Sequence, residues 1–131
     1  MPLNNAKSEI ANTKVTIVGD NNSENEYLWD DIRKKINSYL GLKHVNEDKM
    51  LGQFFLSKEE LENDNFANAF KDKVLMYLYE DAARIYRSDL FSKNGFSEIC
   101  NEFDKNGLSC FKNDAINVDP VIHTTIAENR R

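Results

Sequence analysis

Apolar residues in this chain recur mostly at three- and four-residue intervals, the period of a helix with one buried face. The exception comes early. Residues Lys14–Val18 are β-branched and alternating, and Gly19-Asp20-Asn21-Asn22 supplies turn chemistry after them, so a short strand is expected there. A lone strand cannot close its own ladder, which places its partner in another chain or in a missing segment. A helix is expected from about Glu26, where Ser23 and Glu26 have capping-box spacing and Leu28, Ile32, Ile36 and Tyr39 follow at helical intervals, with Gly41 stopping it. Asp30 and Asp31 in its early turns and Lys34 and Lys35 in later ones complement the helix dipole.

Residues 42–56 have no period yet hold Met50, Leu51, Phe54, Phe55 and Leu56, which predicts a packed connection. Ser57 and Glu60 repeat the capping-box spacing and open a short helix ending near Asn63. The longest helix is expected from Phe66 to Arg87. Its apolar face is Phe66, Phe70, Val74, Leu78 and Ile85, widened by Ala67, Tyr77, Ala82 and Tyr86. Asn94-Gly95 marks a turn, Phe96, Ile99, Cys100 and Phe103 a last amphipathic helix, and Asn106-Gly107 its αL cap. Beyond Asn113 the period is gone. The division that follows is an N-terminal arm with a strand over residues 1–25, a helical domain over 26–111 and a flexible tail over 112–131. The fold class is mainly α, a small bundle of about four helices with at most one short N-terminal strand.

Composition changes this picture little. In 131 residues, 40% are hydrophobic, with eight Phe and five Tyr against five Gly and two Pro, enough for one buried core. A net charge of −5 argues against direct nucleic-acid binding, which needs clustered Lys and Arg. Two cysteines, Cys100 and Cys110, suggest no disulfide framework. No apolar run nears the roughly 20 residues of a membrane-spanning helix, and residues 1–11 are too polar for a signal peptide, so the expected address is the cytoplasm with no membrane partner.

Candidate chemistry is sparse. No G-x-x-x-x-G-K-[ST] loop is present and no apolar strand ends in acids able to hold magnesium, so phosphoryl transfer has no machinery in these residues and no catalytic residue is assigned. His44, His123, Cys100 and Cys110 lack metal-ligand spacing, so no metal ligand is assigned. A Cys–His pair from Cys100 or Cys110 with His123 is formally available, but Cys100 falls on an apolar helix face, where it packs as a small hydrophobe. Glu59-Glu60 and Glu80-Asp81 read as solvated faces, with Asp81 spaced to pair with Arg84.

Three blocks carry a resemblance. Trp29, Ile32, Arg33, Ile36 and Asn37 are similar to a W-x-x-[IL]-R-x-x-[IL]-N helix. Asn46-Glu47-Asp48-Lys49-Met50-Leu51-Gly52-Gln53-Phe54-Phe55 is similar to an N-E-D-K-x-[IL]-G-x-[FY]-F turn. Lys73-Val74-Leu75 with Tyr77, Leu78 and Asp81, followed by Leu90-Phe91, is similar to a K-V-L-x-Y-L-x-x-D helix and the L-F after it. In this order they resemble the C-terminal helical lid of McrB-type AAA+ NTPases, the nucleotide-driven subunits of modification-dependent restriction systems. The chain departs from that family in lacking the large subdomain with its phosphate loop.

The resemblance implies a lid closing over GTP or ATP with Mg, bound by the large subdomain, while this chain alone binds no cofactor. Its implied partners are that subdomain, neighbouring ring subunits and a restriction nuclease subunit. Lys49 and Gly52 would face the nucleotide, and Arg84 and Arg87 would reach the next subunit. Trp29, Phe54, Phe55, Phe70 and Tyr77 are expected in the core. The alternative is a stand-alone helical interaction module without catalysis, which the unpaired Lys14–Val18 strand mildly favours and which could modulate such a ring.

Overall fold

Val15 and Ile17 of strand β1, Lys14–Val18, turn inward and are buried, so their backbone must find partners away from water. Those partners are in the same chain. The computed structural model, which describes residues 10, 13–19 and 23–121, pairs β1 antiparallel with β2, Glu24–Leu28, in the register Val15 opposite Tyr27 and Ile17 opposite Asn25. The expected lone strand is thus half of a hairpin. This moves the helix start: residues 24–28 are extended, and α1 runs Trp29–Leu42 with no side-chain cap at Leu28. The Ser23–Glu26 spacing is a weaker demand than the ladder that β1 requires. The Asp20-Asn21-Asn22 part of the expected turn lies outside the described residues.

Helix α1 buries Trp29, Ile32, Ile36, Tyr39 and Leu40 and passes through Gly41 without stopping. Two residues past its last turn stands His44, the only non-glycine residue with positive φ among those described, at 62°. The His44 N–H donates to Gly41 O at 3.0 Å and the Val45 N–H to Leu40 O at 2.9 Å, the paired closure of a Schellman motif. After a 3₁₀ turn at Glu47–Lys49 comes α2, Lys58–Leu61. Here the capping box forms as expected: Glu60 N–H donates to Ser57 Oγ at 3.2 Å and Ser57 N–H to Glu60 Oε1 at 2.8 Å.

Residues 63–82 are helical throughout but not uniformly α. Helix α3, Asn63–Ala69, continues into π turns at Phe70–Leu75 and Leu78–Ala82, and the rod breaks at Ala83, where φ is −118°. Wider turns rotate the buried face and a break resets it. The expected helix to Arg87 therefore stops short: Leu75 and Ala83 are buried, and Ile85, expected on the apolar face, is 82% exposed. A 3₁₀ turn at Arg84–Tyr86, α4 at Arg87–Leu90, α5 at Phe96–Asn106 and a last 3₁₀ turn at Gly107–Cys110 follow.

An aromatic series links these pieces. Trp29 meets Phe66 edge-on at 6.5 Å, Phe66 meets Phe70 at 5.5 Å, Phe70 stacks on Phe103 at 4.8 Å, and Phe91 stacks on Phe111 at 5.7 Å. Each such buried ring contributes about 1.5–3 kcal/mol. The Phe91–Phe111 contact is reinforced by a short antiparallel bridge, with Ser92 N–H to Cys110 O at 2.9 Å and Lys112 N–H to Leu90 O at 2.8 Å. The mainly helical reading holds, with a two-stranded hairpin added. Buried Val15, Ile17 and Ile116 join the same cluster as the helical residues. No helix among the described residues is long and apolar enough to cross a membrane.

Gly107 closes α5 differently from an αL cap. Its φ is 61° but its ψ is −129°, a region open essentially to glycine alone, and a Cβ there would sit 2.5 Å from Val18 O and 2.6 Å from Ile17 Cγ2. The end of α5 is thereby pressed onto β1. Two substitutions should then act with opposite signs in urea denaturation: Gly107→Ala should cost about 2–3 kcal/mol, and His44→Gly should add about 1 kcal/mol by relieving a left-handed residue that bears a Cβ.

Candidate functional site

The segment between α1 and α2 is irregular, so its backbone groups need partners from elsewhere. Leu51 is buried, and its N–H and C=O would be orphaned without help. Asn37, one turn beyond Arg33 on the flank of α1, supplies both bonds: its Nδ2 donates to Leu51 O at 2.9 Å and its Oδ1 accepts from Leu51 N–H at 2.8 Å. Arg33 Nη1 donates to the same carbonyl at 3.1 Å. The guanidinium is itself aimed by Asp30, whose Oδ1 accepts from Nε at 2.9 Å and Nη2 at 2.7 Å. Burial alone would push the Asp30 carboxyl up, but the hydrogen bonds from Arg33 and Lys34 outweigh it and hold its pKa below the usual value.

With Leu51 held, the residues on either side present themselves outward. The Asn46 side chain accepts the Asp48 N–H at 2.9 Å and opens the 3₁₀ turn that carries Lys49. Tyr77 O–H donates to Lys49 O at 2.8 Å, and the Tyr77 ring lies 5.3 Å from that of Phe55. Lys49 Nζ donates to Asp81 Oδ1 at 2.6 Å. That bond holds the Lys49 ammonium above its ordinary pKa, while burial and then the Asp81 charge raise Tyr77. One turn earlier Lys73 bonds Glu60 at 2.6 Å and keeps that carboxyl below its usual range.

The other residues singled out in the sequence behave differently. Gly52 is exposed, and nothing lies within 4 Å of where a Cβ would stand, so no close approach within this chain requires glycine there. Phe54, expected in the core, is 51% exposed beside it. Trp29 and Phe70 are buried, and Phe55 and Tyr77 pack against the core as partly buried rings. Asp81 turns to Lys49 rather than to Arg84. The break at Ala83 separates that pair, and Arg84 is exposed and makes no ion pair among the described residues. Arg87 is committed within the chain: Nε donates to Tyr79 O at 2.7 Å and the guanidinium lies 3.7 Å over the Tyr79 ring. No hydrogen bond or ion pair among the described residues joins either arginine to the Lys49 turn.

Nucleophilic chemistry finds no support in the thiols. Cys110 is buried and Cys100 half-buried; burial pushes both up, Cys110 far above its ordinary value, whereas a reactive cysteine needs the opposite. His123 lies outside the described residues, and among those described no three His, Cys, Asp or Glu gather as a metal site. An open cleft of about 680 Å³ lies elsewhere, between Asn25 and Tyr27 of β2 and Asn106, Lys112 and Asn117, and none of the predicted site residues lines it.

Arg33 and Asn37 were legible only as letters of the first block. Their i, i+4 spacing beside the buried Ile32 and Ile36 was the available signal that they serve one partner on the flank of α1. Over 78 residues the chain is 42% identical to the Type II restriction enzyme BsuMI component YdiS of Bacillus subtilis (strain 168). The match takes in 59% of this chain and 22% of that protein, so the chain spans about a fifth of the length of the curated relative it matches. No protein-family model and no solved structure matches the chain. The similarity is thus to a component of a restriction enzyme.

The Leu51 clamp has a measurable weight. Asn37→Leu leaves the Leu51 N–H without a partner and its carbonyl with Arg33 alone, and should lower stability by about 1–3 kcal/mol, read as a fall in the urea midpoint at unchanged slope. Substitution of exposed Asn101 by Leu should leave the midpoint within about 0.5 kcal/mol of the parent.

Proposed function

We propose that this chain works in a restriction system as the helical lid of an McrB-like AAA+ motor. The lid closes over GTP or ATP held with Mg by a large subdomain outside these 131 residues. The observation that carries the reading is the turn built on Leu51: Asn37 and Arg33 fix its backbone, yet Lys49, Gly52 and Phe54 stand in solvent, unused by the core. A surface kept rigid without internal need is suited to meeting another body. The 42% identity to a restriction-enzyme component supports the setting, and the three sequence blocks that meet at this turn support the lid.

In this reading Lys49 approaches the phosphates, Gly52 admits close backbone contact and Phe54 seats on the large subdomain. Arg84, exposed and without an ion pair among the described residues, reaches the neighbouring ring subunit, whereas Arg87 stays on Tyr79 as a structural residue. A restriction nuclease subunit is the further partner. The interaction-module reading loses the feature that favoured it, because β1 finds its partner in β2.

Mixing the chain with a polypeptide that supplies the large subdomain tests the lid. The chain alone should show no triphosphate turnover, the mixture should restore it, and Lys49→Met should reduce the restored rate by about tenfold, the loss of one charge-assisted contact to phosphate. Turnover by the chain alone would contradict the reading. So would suppression of an intact ring in place of restoration.

A further inference from the structure

Lys49 and Asp81 stand 32 residues apart and come from different blocks, yet their side chains meet at 2.6 Å. The meeting is prepared from both sides. The Lys49 backbone is held by Tyr77, which lies one turn before Asp81 on the same helical rod, and the turn behind it is tied down at Leu51. Two turns before Asp81 on the same rod, Lys73 is neutralised by Glu60. Lys49 and Lys73 are therefore each already matched by a carboxylate of their own chain.

We infer that Asp81 is a positioning residue for Lys49, a carboxylate that parks the ammonium at the turn until a polyphosphate takes its place. The inference rests on the lid reading for the identity of the anion. The pair is exposed to solvent, so water and salt screen it and it can open readily. A carboxylate carries one charge and a triphosphate several, so a phosphate delivered by another body out-competes Asp81 for Lys49. Phosphate free in solution meets a lysine that is already paired. Tyr77 keeps the Lys49 backbone in place while the side chain swings.

The latch can be tested on the chain alone with sodium tripolyphosphate in isothermal titration at low salt, with circular dichroism confirming that each variant is folded. Asp81→Asn should bind about two- to fivefold more tightly than the parent, the range an exposed ion pair sets. The gain should vanish in the Asp81→Asn, Lys49→Met double variant. Asp104→Asn changes net charge equally and releases Lys71 from its 2.9 Å partner, and should gain less than about twofold. Unchanged affinity in Asp81→Asn would overturn the latch, as would an equal gain in Asp104→Asn or one that survives loss of Lys49. None of these outcomes depends on a large subdomain, so the latch can fail while restored hydrolysis still supports the lid, and the reverse.

Discussion

The arrangement depends on one buried peptide group. Leu51 puts its side chain into the core from a segment with no regular structure, and a peptide unit taken from water without partners costs about 1–3 kcal/mol. Asn37 meets both of its needs at once, as a neighbouring strand would, and Arg33 adds a second donor to the carbonyl. Because Asp30 fixes the guanidinium, the clamp is rigid at both ends. Helix α1 thereby positions a loop as firmly as it positions its own side chains. Everything assigned to the candidate site, from Lys49 to Phe55, hangs from that point.

The second support is aromatic. Trp29 begins α1 and touches Phe66, and from there rings run through Phe70 to Phe103. The rod at 63–82 is thus locked against α1 and α5 while its outer face stays free to carry Tyr77 and Asp81 to the turn. The π turns contribute here. They rotate the rod so that Leu75 and Ala82 face inward, and the break at Ala83 ends the register before Ile85. The three blocks, scattered over some fifty residues, are in this way brought to one surface.

Much of this was legible in the chain. The capping box at Ser57 and the apolar stripe of α1 from Ile32 to Tyr39 follow from local spacing, which a sequence displays, and the burial of Leu51 and Leu56 from the apolar content of residues 42–56, although Leu42 and Phe54 stay exposed. What was hidden depends on distant partners. Strand β2 reads as Glu-Asn-Glu-Tyr-Leu, with weak alternation, and becomes a strand because β1 needs a ladder. Gly41 looks like the stop, yet α1 runs on to Leu42 and is closed by the left-handed His44 and the Val45-to-Leu40 bond. A π turn has no compositional signature, so the register slip that exposes Ile85 and separates Asp81 from Arg84 could not be foreseen. Of the candidate residues, Lys49, Gly52 and Arg84 are exposed, while Arg87 is occupied by Tyr79.

A surface that is rigid, outward-facing and built from three separate segments is the physical basis for the lid reading, and that rigidity is open to direct measurement. Amide hydrogen exchange at Leu51 is the sharpest probe. With both of its backbone groups clamped by α1, its N–H should exchange only with global unfolding, as slowly as the amides of Ile36 and Leu40. Exchange at Leu51 as fast as at the exposed loop residues Lys93 and Asn94 would mean that the turn is not held, and the account would fall with it.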